Sequence, residues 1–525
     1  MKKKILKKIK KMPAEEYYKF DSSLLKILNI YKDFDLLSVS DFDIIIDKEK
    51  DDSINIRIDI LQKLINSSFA PIYRKKDKDI NRLTLSADKA LNLLLEYQKS
   101  GHLKAGFYQY NINFLEYFPQ KKQLIFRELG SLAAELNYNL YLVGGQLRDL
   151  LLGLELNDDV DLLLEGDIEV FFSYLKQKKG WDYILNDEFK TGYLRTEYRL
   201  SLDFATCRQE KYKMPGSPPS VKPSGIFSDL YRRDFTLNSM AVDLTPSREG
   251  ILYDFFAGLD DLEAGILHVL HKYSFRDDPL RILRGIRFRL QKGFVLSPET
   301  KDLARYSLKK YDYSRLSLER IFTELNYLLS LEDDISILAD DILNDIPVLK
   351  LVTDNFKFNI KQKIAFKNAE IILSKCRKYN LDVNYFLVRL IILFYNIESN
   401  EVSNWPIKNR EFNIFKKKRW ISISDEIFKV NDPAQRFRLL EEYKIEELIL
   451  YCAFKNVENY TDIIIKHFKI KNGLKIPVSG YDILKMGFKE GPIINEIMLK
   501  VRDEILRGNI NDRKDALEYI KKLKK

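Results

Sequence analysis

The sequence predicts an α+β protein with a small mixed-sheet head, an elongated all-helical neck, body and tail after it, and an extra N-terminal region before it. Two observations carry this. Between residues 122 and 263, short apolar runs of strand character alternate with segments of helical spacing. Beyond about Asp277, helical spacing continues with few strand signals. At 525 residues the chain is also too long for one ordinary core, and roughly three domains follow from usual domain sizes. The expected divisions are 1–121, a region of unassigned role; 122–263, the head; 264–390, the neck and body; and 391–525, the body and tail.

Up to about Lys121 the chain mixes apolar runs with charge clusters and offers no repeat or chemical motif. From Lys122 to Asn137, Ile125, Leu129, Leu132, Ala133 and Leu136 recur at helical spacing, and Tyr138 to Val143 follows as a strand. Further strands are expected at Asp159 to Glu165, Thr191 to Arg195 and Arg199 to Ala205, with a helix near Ile168 to Lys178. Met214 to Gly225 is rich in Pro, Gly and Ser and predicts an exposed loop. Leu280 to Leu290, Ser317 to Leu329 and Tyr385 to Phe394 carry the helical period.

Composition narrows the chemistry. Lysine and arginine total 87 against 77 acidic residues, a net charge of +10 that favours a polyanionic partner. Three cysteines, Cys207, Cys376 and Cys452, lie too far apart in sequence for a zinc ribbon or a redox pair, and four histidines leave little for a zinc site or a serine–histidine triad. Metal chemistry must therefore rest on carboxylates. The basic run at Met1 to Lys10 lacks the apolar stretch of a signal peptide, and no segment is long and apolar enough to span a bilayer. The expectation is a soluble, cytoplasmic protein with no membrane partner; nothing in the sequence names a protein partner.

Three stretches carry candidate chemistry. In Leu142-Val-Gly-Gly-Gln-Leu-Arg-Asp149, Gly144 and Gly145 fall at a strand-to-helix turn, where backbone N–H groups can approach phosphate, and Arg148 follows. Shortly after come Asp159 and Asp161, two apart on a strand and so on one face. Such paired carboxylates suit Mg2+, which completes its shell with water and substrate phosphates. Asp41 and Asp43 precede a similar apolar run but follow no glycine pair, and they are set aside as a decoy. The second stretch, Asp229 to Ala241, is expected on a helix; Arg232, Asp234 and Asn238 can face one site there, although the stretch alone fits a surface helix with an internal ion pair as well or better. The third opens the helical region: Pro279 belongs in a first turn, with Asp278 near the N-cap and Arg281, Arg284 and Arg287 following at intervals of three. A carboxylate beside a guanidinium can accept from an amino group and donate to a ring nitrogen, a pairing that fits cytosine and adenine and rejects guanine and uracil.

In this order and spacing, the three stretches resemble the class II tRNA nucleotidyltransferases, which include CCA-, CC- and A-adding enzymes, and the bacterial poly(A) polymerases. The resemblance spans roughly Leu124 to Arg289, and takes in Asp203-Phe-Ala-Thr-Cys-Arg-Gln-Glu210 and Tyr253 to Leu262. A weaker likeness covers Val478 to Leu484 with Gly487 and Gly491. It implies a polymerase β-type head in which Asp159 and Asp161 bind the metals, and Gly145 and Arg148 hold the incoming nucleotide. Arg232 or Arg233, Asp234 and Asn238 would line its ribose and phosphates. Asp278, Arg281, Arg284 and Arg287 match the positions that meet base and triphosphate. Two departures stand out: the loop from Gly153 to Asp159 is one residue longer than the usual pattern, leaving Asp158 as an alternative ligand, and Asp277 stands where many relatives carry glutamate. The implied reaction is attack of an RNA 3′-hydroxyl on the α-phosphate of CTP or ATP, with tRNA as the acceptor. The alternatives are a poly(A) polymerase acting on general RNA and a catalytically silent RNA-binding protein of the same fold.

Overall fold

The computed structural model describes residues 46–48, 54–56, 108–110 and 113–524, apart from 187, 188, 197, 198, 255, 257, 340–344 and 408. Asp41 and Asp43 lie outside them. The chain divides into two compact units, one ending at Leu316 and the other running from Ser317 to Lys525.

In the first unit, β1 (Ile46–Lys48) and β2 (Ile54–Ile56) pair only with each other. The main sheet comprises β3 (Tyr108–Tyr110), β4 (Asn139–Val143), β5 (Asp159–Glu165), β6 (Tyr183–Asn186), β7 (Thr191–Arg195), β8 (Ser201–Thr206), β11 (Met240–Asp243) and β12 (Leu252–Asp254). Their order is β3-β12-β11-β4-β5-β8-β7-β6, antiparallel throughout except for β5 beside β8. Between β5 and the strand parallel to it the chain passes through a helix and then β6 and β7, while short turns join β6 to β7 and β7 to β8 as antiparallel neighbours.

That helix, α3 (Ile168–Lys179), follows α1 (Gln120–Glu135) and α2 (Gly145–Leu152). Asp167 caps α3 by accepting from the N–H groups of Glu169 and Val170, and Gly180 closes it in the left-handed region. Phe171 and Phe172 bury against Phe204 of β8. Helix α1 buries Ile125, Phe126, Leu129, Leu132 and Ala133, and a Cβ on its Gly130 would lie 1.8 Å from the Leu244 carbonyl oxygen, so the helix rests directly on backbone.

The expected elements appear with ends shifted by a residue or two, and two stretches differ in kind. Met214 to Gly225 is not all loop: β10 (Ser220–Pro223) pairs antiparallel with β9 (Arg208–Lys211), giving its backbone groups strand partners. Asp229 to Ala241 is not one helix. Helix α4 (Ile226–Tyr231) stops, Phe235 is extended and bridged to Val269, Thr236–Asn238 form one tight turn, and β11 begins. The cause is tertiary: the Phe235 ring is fully buried over Gly285, where a Cβ would come within 2.9 Å of it. Burying an aromatic outweighs the few tenths of a kcal/mol that separate helix propensities.

The unit closes with α5 (Gly258–Ala264), α6 (Ser274–Asp277), α7 (Leu280–Lys292) and α8 (Pro298–Lys310). A two-residue parallel pair, β13 (Ile266–Leu267) with β14 (Val295–Leu296), adds strand content in a region expected to be helical.

Among the described residues, the second unit forms helices and turns only. Its longer helices are α9 (Leu318–Leu329), α10 (Ile360–Lys378), α11 (Tyr385–Leu393), α12 (Pro433–Glu441), α13 (Ile445–Lys455) and α14 (Thr461–Gly473). A fully buried Arg389 on α11 pairs with Glu370 of α10 at 2.7 Å and donates to the carbonyls of Leu329, Leu331 and Asp333. The last carbonyl of α9, that of Leu329, and two in the loop after it thereby find a donor. Toward the C-terminus α15 (Gly480–Lys485), α16 (Pro492–Arg507) and α17 (Arg513–Leu523) enclose a small core of their own, including Ile483, Ile497, Val501, Ala516 and Ile520. Among the described residues no helix is long and apolar enough to cross a membrane.

Candidate active site

The site is built where β4 ends. Val143 pairs with Asp161 of β5, and the chain then turns at Gly144, whose φ of +77° few side chains tolerate. A Cβ there would also fall 2.4 Å from the Asp161 carboxylate oxygen, so the turn needs glycine for its conformation and for its clearance. Gly145 opens α2, and its backbone N–H donates to the Asp161 carboxylate. Along β5 Asp159 and Asp161 are exposed while Val160 between them is buried, so both carboxylates share the open face. Asp158 is out of phase with them.

A third carboxylate joins from β8. The parallel register sets Asp203 beside Asp161, and Leu202 and Phe204 are buried on either side of it, which puts Asp203 on the same open face. Although solvent reaches Asp161, the protein packed around it displaces part of its hydration and raises its pKa, and the charge of Asp159 adds to this; Arg233, the Gly145 N–H and Arg148 oppose it. Burial likewise raises that of Asp203, with Asp161 and Asp159 adding to it. Mutually repelling oxygen donors of this kind form the set that a hard divalent cation neutralises. Among the described residues no three His, Cys, Asp or Glu side chains close into a metal cage.

Around the carboxylates runs a chain of polar contacts. Arg148 donates to the Asn238 side-chain oxygen at 3.1 Å, and its guanidinium lies over the Phe288 ring. Asn238 in turn donates to Asp234 at 3.0 Å. The far oxygen of the buried Asp234 pairs with Arg284 of α7 at 3.1 Å. Burial would raise the Asp234 pKa, but Arg284, Asn238 and Arg281 outweigh it and hold the carboxyl below its usual range. The two residues expected to meet on a helix thus meet across a broken one.

The adjacent arginines part company. Arg232 is engaged on three sides, with two donations to Asp229 and one to Glu210 at 2.9 Å, and Arg208 joins the same acids. Arg233 makes longer contacts, 3.4 Å to Asp229 and 3.4 Å to the Asn238 carbonyl, and is the charge that acts most on Asp161. Arg281 is buried, donating to the Ser274 hydroxyl at 2.7 Å and to the Arg232 carbonyl. Asp278 follows α6 in extended conformation, half-buried, and accepts from the Leu280 N–H at 3.3 Å, one residue before the Pro279 N-cap of α7. Arg287 stacks over Phe288 and reaches Gln291. The described geometry therefore joins Gly144, Gly145, Arg148, Asp159, Asp161, Arg233, Asp234, Asn238 and Arg284, and adds Asp203. A single aspartate within β8 carries no spacing signal; only its register with β5, 42 positions away, identifies it.

Known proteins with this arrangement can be named. The family described as the Poly A polymerase head domain matches residues 140–268. The A-adding tRNA nucleotidyltransferase of Halalkalibacterium halodurans is 29% identical over 404 residues, 75% of this chain and 91% of that one. The CCA-adding enzyme of Staphylococcus haemolyticus is 25% identical over 404 residues, 72% of this chain and 92% of its own length. Among solved structures, the Thermotoga maritima CCA-adding enzyme complexed with tRNA is 26% identical, with a TM-score of 0.63 over 78% of this chain and 98% of that one. The head is thus similar to the Poly A polymerase head domain, and the likeness to tRNA nucleotidyltransferases runs along most of both chains.

Proposed function

We propose that this protein extends the 3′ end of tRNA with C and/or A, using CTP and/or ATP without a nucleic-acid template. The observation that carries the reading is the shared face of Asp159, Asp161 and Asp203 against the Gly144–Gly145 turn. Asp159 and Asp161 would hold Mg2+, which when bound supplies activation of the attacking hydroxyl and neutralisation of charge on the departing pyrophosphate. Backbone N–H groups of the first turn of α2 and the charges of Arg148 and Arg233 orient the triphosphate. Asn238, fixed between Arg148 and Asp234, bounds the ribose and phosphates, while Arg284 and Arg287 extend the positive surface along α7. Asp278, half-buried at the start of α7, and the buried Arg281 would supply the acceptor and the donor that complement the amino group and ring nitrogen shared by cytosine and adenine. The guanidinium of Arg281 is held by Ser274 and the Arg232 carbonyl, which suits a rigid template of protein groups.

Addition of the terminal A is the step common to the A-adding and CCA-adding relatives, so it is expected in either case. The test is extension of tRNA transcripts ending before C, after CC, or complete, beside an unstructured RNA, with each nucleotide singly and Mg2+. Transcripts ending in CC should accept A; extension of those lacking CC with CTP marks the fuller activity. Asp161→Asn should abolish addition and leave tRNA binding intact. Repeated A addition to the unstructured RNA would instead show a poly(A) polymerase, the reading that the name of the matched head keeps open. Undiminished addition by Asp161→Asn would sink both.

A further inference from the structure

The end of β5 that carries Asp159 lacks a strand neighbour on one side. Strand β4 pairs with β5 only as far as Val143 opposite Asp161, because the chain then turns away at Gly144. On the other side β8 continues the pairing, with the Ser201 N–H donating to the Asp158 carbonyl at 2.9 Å. Carbonyls alternate along a strand, so those of Asn157 and Asp159 face the missing neighbour.

Two buried polar side chains stand in its place. The Gln146 amide, from the first turn of α2, donates to the Asp159 carbonyl at 2.7 Å and to the Asn157 carbonyl at 2.8 Å. The same amide meets the Asn157 side-chain oxygen. The Lys122 ammonium, from the first turn of α1, donates to the Gln146 side-chain oxygen at 2.9 Å and to the Asn157 carbonyl. Both residues are 4% exposed. An ammonium in such a position is costly unless its donors are used, and here they close a ring joining α1, α2 and the strand. Burial lowers the Lys122 pKa, with Asp158 and Asp159 opposing the shift.

We infer that Lys122 and Gln146 are positioning residues that complete the backbone pairing of β5 beyond β4 and thereby hold the chain at Asp159 in the extended conformation that keeps its carboxylate beside that of Asp161. Residues two apart share a face only while the chain between them stays extended, and at an end that β4 does not pair a bulge would turn Asp159 away from Asp161. The clamp keeps the strand extended there by fixing the carbonyls on both sides of Asp158. The inference rests on the proposed use of Asp159 and Asp161 as metal ligands.

The experiment uses the full chain with Lys122→Met, which keeps the length of the side chain without its donors, and Gln146→Glu, which keeps the acceptor for Lys122 but cannot donate to the two carbonyls. Mn2+, which favours the same oxygen ligands as Mg2+, is titrated by electron paramagnetic resonance, alongside kcat, KM for tRNA and Tm. Each variant should lose roughly ten-fold or more in Mn2+ affinity and in kcat, as loss of residues that orient metal ligands does, with KM for tRNA unchanged. Unchanged Mn2+ affinity in a folded Gln146→Glu protein would overturn the inference, and so would losses that follow the fall in Tm and raise KM for tRNA equally. Should Lys122→Met fail to fold, Gln146→Glu decides alone. Wild-type protein that binds Mn2+ but extends no RNA would defeat the proposed function, while the comparison of Mn2+ affinities would still judge the clamp.

Discussion

At Arg232 and Arg233, two neighbouring guanidiniums with the same charge have different work because their partners differ. Arg232 neutralises the buried Asp229 and Glu210. Replacing it with Gln leaves those acids short of a partner and should cost about 3 kcal/mol of stability, visible as a lower Tm. Arg233→Gln breaks only long contacts and should leave Tm nearly unchanged while raising KM for the nucleotide. The opposite pattern would exchange their roles. Asp203 allows a similar separation: Asp203→Asn should reduce kcat by about 10–100-fold with unaltered affinity for tRNA, measured by steady-state kinetics beside a binding titration. The glycine pair, Asp159, Asp161 and Arg148 are all legible in sequence because their chemistry depends on short spacing. Asp203 and the division of labour between Arg232 and Arg233 are not, because they depend on which distant acid lies alongside.

Elements follow the sequence wherever one local preference dominates. Strand β5 and helix α3 stand almost where alternation and helical period place them, the helix bounded by an aspartate cap and a left-handed glycine. The stretch after α4 departs because Phe235 packs onto Gly285. Gly285→Ala would push a methyl to 2.9 Å from the Phe235 ring and 3.1 Å from Leu296, and overpacking of this kind costs about 1–3 kcal/mol; calorimetry should show the loss, with part of it recovered by shrinking Phe235 to Leu. In the second unit, His467 on α14 is buried against Phe437 and Phe468, with neither ring nitrogen hydrogen-bonded. Burial, with Lys471 adding to it, lowers its pKa to about 4. Unfolded chain would take up a proton that the folded state refuses, so the stability is complete above pH ~6.5 and is lost as pH falls toward 4, on the order of 3 kcal/mol. A His467→Leu protein should show a shallower fall in Tm across that window; an identical fall would place the acid sensitivity elsewhere.

For the whole molecule, a net charge of +10 and the proposed tRNA acceptor imply binding by counterion release. Affinity for tRNA should fall linearly on logarithmic axes as salt rises, and a flat response would mean that phosphate contacts contribute little. The sequence by itself determined the mixed-sheet head followed by helices, the glycine turn before the paired aspartates, and the carboxylate rather than histidine or cysteine character of the centre. These are matters of composition and of spacings under about ten residues, which backbone geometry converts directly into shared faces. Only the tertiary structure decided that Asp203 joins them, that the 229–241 stretch breaks after α4, and that Lys122 and Gln146 hold the free edge of β5. Each of those depends on strands or helices meeting across tens of residues, where the packing of buried side chains, rather than any local preference of the chain, selects the partner.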